Sequence, residues 1–189
     1  IAPDQTGMTS SSATELVAKI TFGINIGDTL ELRNIKVGPT EQYIKFLKQC
    51  GFNAVRIPCG WNQSTNQKTA KIDDNFMAKV KQVVKWCIEN DMYVLLNIHK
   101  DGGWLEKNCT TAKQDSVNAK QKALWTQIAT EMRDFDEHLM FASANEPDAS
   151  TTETMGVLIS YHQTFINAVR ATGGRNTYRT LVLQGNEKY

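Results

Sequence analysis

Short apolar runs alternate along this chain with longer stretches in which apolar residues recur every three or four positions. The first pattern is that of a strand buried on both faces, the second that of a helix with one buried stripe. Read this way, residues 20–26, 53–58, 93–98, 139–144 and 180–184 are strands. Helices are expected over 40–49, from an N-cap at Asp73 through Ile88, over about 117–133, and over 153–171. Gly51 and Gly173-Gly174 stand where helices stop, and Pro58 ends its strand, where it breaks no ladder.

Strands separated by helices predict a parallel α/β architecture. Two closures are compatible with it, an open doubly wound sheet and a TIM (β/α)8 barrel. The open sheet usually carries a glycine-rich phosphate loop after a strand, and neither GxGxxG nor a P-loop occurs here. A barrel gathers its functional residues at the C-terminal ends of several strands. Arg56, Trp61, His99 and Asn145-Glu146 fall at or just past such ends. The expected fold is therefore α/β: the N-terminal five βα units of a TIM (β/α)8 barrel, truncated before strands 6–8, in a single domain over 1–189 with residues 1–13 as a flexible lead-in. A barrel takes about 250 residues, which is why 189 read as its first part.

Composition narrows the partners. With 41% hydrophobic and 22% charged residues the chain can build a core, and a net charge of +1 points to neither nucleic acid nor an anionic membrane. No apolar run is long enough to span a bilayer. The opening residues read as a mature or trimmed end rather than a leader. The four cysteines form no CxxC and stand at no zinc spacing with a histidine, so neither metal nor organic cofactor is expected. Cys50 and Cys87 read as buried helix thiols, while Cys59 and Cys109, near loops, leave a disulfide open.

The strand ends carry the chemistry. Carboxyl groups do acid–base work, Arg and His position or tune them, Asn can bond a sugar 2-hydroxyl, and Trp offers a flat apolar face to a pyranose ring. Arg56-Ile57-Pro58 followed by Trp61, His99 with Asp101-Gly102-Gly103-Trp104, and Asn145-Glu146-Pro147 occur in an order and at separations that suit consecutive βα units. In these motifs, and across roughly residues 14–185, the chain resembles the family-5 glycoside hydrolases, cellulase-like retaining enzymes.

The resemblance implies hydrolysis of internal β-1,4 bonds in a glucan or related plant cell-wall polysaccharide, by a secreted, periplasmic or cell-surface enzyme without a cofactor. It implies Glu146 as acid/base, Asn145 at the 2-hydroxyl, Arg56 holding the nucleophile ionised, and His99 lining the subsite of the cleaved sugar. Asn25, Glu31, Trp61 and Trp104 become substrate contacts. The family's nucleophile is a glutamate on the seventh strand, and Glu187, just past the fifth, does not replace it; the chain alone is then expected to be inactive. Its partner would be the rest of the barrel or a second copy of itself, since an open sheet exposes two edges. The sequence departs from the family pattern at Ile24, Asp28 and Lys100, which motivates a second reading: a non-catalytic carbohydrate-binding protein on a decayed barrel. A related hemicellulase and, more remotely, an open nucleotide-binding domain are also compatible with the chain. His138 and His162 read as structural, Trp86 and Trp125 as core, and Lys100 as a solvated loop charge.

Overall fold

The computed structural model describes residues 8–10, 12–32 and 38–186. Glu187 lies outside them, as does most of the expected lead-in. Five strands form one parallel sheet in sequential order: β1 (Gly23–Asn25), β2 (Ala54–Cys59), β3 (Tyr93–Ile98), β4 (Leu139–Ala142) and β5 (Leu181–Val182). A doubly wound sheet reverses direction part-way through its strand order, and this one does not. The order is that of consecutive units of a barrel.

Four helices connect the strands: α2 (Glu41–Gln49), α3 (Asp74–Glu89), α4 (Gln114–Glu131) and α5 (Thr152–Arg170). Their starts follow from side chains that satisfy free amides. Thr40 accepts from Tyr43 N–H, Asp73 from Phe76 N–H, and Thr151 and Thr154 form a reciprocal capping box. Gly51, at φ 94°, supplies the left-handed turn that ends α2.

Alternation along the strands splits the sheet into two faces. Val55, Ile57, Val94, Leu96, Leu139 and Phe141 point toward the helices and form the main core with Val80, Val84, Leu124, Trp125 and Phe165. Ala54, Tyr93 and Met140 point the other way and cluster with Leu16. Leu16 belongs to a helix that the pattern did not predict, α1 (Ala13–Lys19), capped by Ser12. The expected lead-in thus ends one residue into a helix, which covers the N-terminal end of the inner sheet face.

Several boundaries differ for identifiable reasons. β1 is shorter than 20–26 because Thr21 and Phe22 donate to the Asn53 side chain, at 3.0 and 3.1 Å, instead of to a strand. β4 stops at Ala142 because the Ala144 amide turns to the Gln184 side chain at 3.1 Å, beside a buried Ser143–His162 bond of 2.7 Å. Cys50 is exposed, contrary to expectation. The buried stripe of α2 runs through Ile44 and Leu47, and its next position is Gly51. Cys59, Cys87 and Cys109 are buried, and all four thiols are free.

Sequence reading missed Arg179, which has no exposed surface. It donates to the carbonyls of Asp136 and Leu139, each at 2.8 Å, of Arg133 at 3.2 Å and of Phe135 at 2.5 Å. Its Nε reaches Asn176 Oδ1 at 2.6 Å. Burial lowers its pKa to about 10, which still leaves it charged at neutral pH. Arg179→Met leaves several buried carbonyls unpaired and is expected to cost roughly 3 kcal/mol or more. The denaturation midpoint of the variant measures this, and an unchanged midpoint would contradict the assignment.

Candidate active site

A parallel sheet brings the C-terminal ends of its strands to one rim. Asn25 closes β1, Arg56 lies on β2 in register with Asn25 and Leu95, His99 follows β3, and Asn145-Glu146 follow β4. Arg56 Nη2 donates to Asn145 Oδ1 at 2.5 Å. These residues come from strands that are not neighbours, so the bond passes over β3. A guanidinium has only donors, so the amide oxygen of Asn145 must face it and the amide NH2 is turned away. Burial pulls the Arg56 pKa down, while the nearby charges of Glu31 and Glu146 pull it back up. Glu146 is exposed and adopts φ 46°, in the left-handed region that non-glycine residues rarely occupy. It lines a cavity of about 500 Å³ with His99, Glu106, Asn145 and Asp148.

His99 Nδ1 and Glu31 Oε1 share a hydrogen bond of 2.8 Å. Glu31 is 2% exposed. Its burial depends on a close approach: a Cβ on Gly60 would lie 2.9 Å from the Glu31 carbonyl oxygen, and the Gly60 amide donates to Leu30. Arg56, Asn145, Glu146 and His99 thus come together at one rim, with Asn25 exposed beside Arg56 in an adjoining groove of about 330 Å³.

A family model for cellulases, glycosyl hydrolase family 5, matches residues 18–188. The chain belongs to this family. It is 38% identical to the xyloglucan-specific endo-β-1,4-glucanase of Bacteroides ovatus over 97% of its own length and 41% of that protein's. It is 34% identical to endoglucanase B of Ruminococcus albus over 94% of itself and 47% of that protein. The solved structure of the Bacteroides ovatus family-5 xyloglucanase with a XXXG heptasaccharide superposes with a TM-score of 0.90 at 34% identity, covering all of this chain and 46% of that one. The chain thus spans less than half the length of these two curated relatives, and its five βα units correspond to part of the family barrel.

Within this family-5 frame two expected substrate contacts, Trp61 and Glu31, are buried, and a third, Trp104, is half-buried. Trp61 has no exposed surface and donates to the Asn97 carbonyl at 3.2 Å, so it has no face to offer a sugar. A 3-10 turn over Asn62–Ser64 follows it directly and folds it into the core against Phe76. Glu31 is buried behind His99 and acts on the cavity through that ring. Trp104 is built into the β3–α4 loop: its indole N–H reaches Asp101 at 3.3 Å, and Lys120 Nζ sits 5.0 Å from its ring. Lys100, expected as a solvated charge, pairs with Asp28 and lies 3.7 Å from Glu31. This cation answers the acidic departure at Asp28.

Asp101 is a residue whose burial the motif did not reveal. At 2% exposure it accepts the backbone amides of Asn62 at 2.8 Å and Gln63 at 3.2 Å. Burial raises its pKa to about 6 from an ordinary 3.8, the amides opposing. A carboxyl whose folded pKa is raised favours the fold when protonated, so stability falls as pH climbs between those two values. Unfolding of wild type and Asp101→Asn from pH 3.5 to 7.5 should show the wild-type advantage shrinking by about 3 kcal/mol over two pH units. A pH-independent difference would contradict it.

Proposed function

We propose that this chain carries part of the active site of a secreted or cell-surface endo-β-1,4-glucanase. Its substrate is a plant cell-wall β-glucan, with xyloglucan included on the strength of the named Bacteroides ovatus relative. The observation that carries the reading is the Arg56–Asn145 bond beside Glu146. It fixes the asparagine amide with its NH2 free to donate to a sugar 2-hydroxyl, next to an exposed carboxyl in an open cavity.

In the retaining mechanism Glu146 protonates the leaving glycosidic oxygen as a second carboxylate attacks the anomeric carbon. Glu146 then takes a proton from water, which releases the sugar and restores both groups. That second carboxylate must stand about 5 Å from the first. The family resemblance assigns it to a later strand, outside the described residues. Arg56 supplies positive charge toward it and toward Glu146, and favours the ionised form of a neighbouring carboxyl. His99, held by Glu31, lines the cavity where the family resemblance puts the subsite of the cleaved sugar.

Glu146→Gln in the intact gene product should lower kcat on a soluble β-1,4-glucan by about 10²–10⁴-fold while KM changes little. Assays on glucan, xyloglucan, mannan and xylan would rank the substrates. Wild-type turnover by the variant on the best of them would sink the proposal.

A further inference from the structure

In a parallel pair the amides that face one neighbour recur at every second residue. Along β4 and just past it, the Phe141 and Ser143 amides donate to the carbonyls of Thr180 and Val182, at 3.4 and 3.1 Å. The next bond in that series would join the Asn145 amide to the Gln184 carbonyl. Instead the Gln184 carbonyl accepts from His162 Nε2 of α5 at 3.0 Å. The Gln184 side-chain oxygen accepts the Ala144 amide at 3.1 Å, one residue early. The Ser143 carbonyl accepts from Gln121 Nε2 of α4 at 3.0 Å.

This break changes which way the chain faces. Leu139 and Phe141 point toward the helices and Met140 the other way. Unbroken alternation would put Ala144 on the inner face and turn Asn145 toward the helices, away from Arg56. Ala144 packs instead in the cluster with Leu158 and Tyr161 of α5. Ser143, beside it, bonds His162 of the same helix at 2.7 Å. Two consecutive residues therefore share the helix side, as at a β-bulge. Asn145 then reaches the inner face, where Arg56 donates to it at 2.5 Å.

His162 joins these contacts, and it is 8% exposed. A carbonyl oxygen can only accept, so the hydrogen toward Gln184 is on Nε2. Burial lowers the pKa of the ring, and the uncharged ring offers Nδ1 as an acceptor to the Ser143 hydroxyl. A buried imidazole is costly unless its nitrogens are paired. Both are paired here, one to the last carbonyl of the ladder and one to the first residue of the shifted pair.

We propose that His162 is a positioning residue: it occupies the Gln184 carbonyl and holds Ser143, so that β4 breaks before Asn145 and turns Asn145 to Arg56 and Glu146 to the cavity. It lies on the helix side of the sheet and touches no reacting atom. The proposal rests on the roles given above to Asn145 and Glu146, and adds a requirement that the Asn-Glu-Pro motif does not contain.

The test uses the intact gene product with His162→Leu and His162→Gln. Leucine leaves the Gln184 carbonyl open to the Asn145 amide, whereas glutamine keeps a donor for that carbonyl. Misplacing a catalytic group by about 1 Å costs up to about 10²-fold. The leucine variant should therefore lose roughly 10–100-fold in kcat on a soluble β-1,4-glucan with KM within about threefold, and the glutamine variant should recover to within about threefold of wild type. A crystal structure of the leucine variant should show the Arg56–Asn145 bond broken. If that variant does not fold, Gln184→Leu, which removes the acceptor of the Ala144 amide, carries the same two expectations; failure of both to fold marks the network as structural and overturns the proposal. Equal losses in the leucine and glutamine variants, no loss in either, or an intact Arg56–Asn145 bond in the crystal also overturn it. A wild type inactive on every glucan overturns the functional reading instead, and the crystal structure then still decides whether His162 sets the break in β4.

Discussion

Parallel pairing in sequential order is the constraint on which the site depends. Each connection must carry the chain back past the sheet before the next strand begins, so every strand ends at the same rim. The register then places Arg56 level with Leu95 and Met140, two strands away from the segment that carries Asn145. The bond between Arg56 and Asn145 requires this spacing. A slip of one residue would turn Arg56 toward the helices and replace it on the inner face with Val55 or Ile57.

Charge is buried at both ends of the sheet, and each end uses the opposite polarity of the backbone. Near the C-terminal rim Asp101 is held by amides of the turn after β2. Near the N-terminal end Arg179 is held by carbonyls of the chain entering β4. In each case the hydrogen bonds to the charge come largely from the main chain. Main-chain groups cannot be removed by substitution, so the loops at the two ends are fixed by dipoles that persist whatever residues surround them.

The strands at 53–58 and 93–98 were legible because burial on both faces leaves them mostly apolar. His99, Asn145 and Glu146 were legible because polar residues just past such runs have few structural reasons to be there, and Arg56 because it is a charge inside one. What escaped reading depends on long-range placement. Arg179 looks like any surface arginine until the chain folds five carbonyl and amide oxygens around it. Trp61 looks like a sugar platform until a 3-10 turn rotates it inward. The short helix α1 has too few turns for a periodicity to stand out.

That helix also says something about the order in which the protein can form. Leu16 clusters with Ala54, Tyr93 and Met140, the last more than 120 residues further along the chain. During synthesis from the N-terminus, the apolar side of α1 has an incomplete partner surface until β4 has been made. The helix is first in sequence and among the last to find its full place.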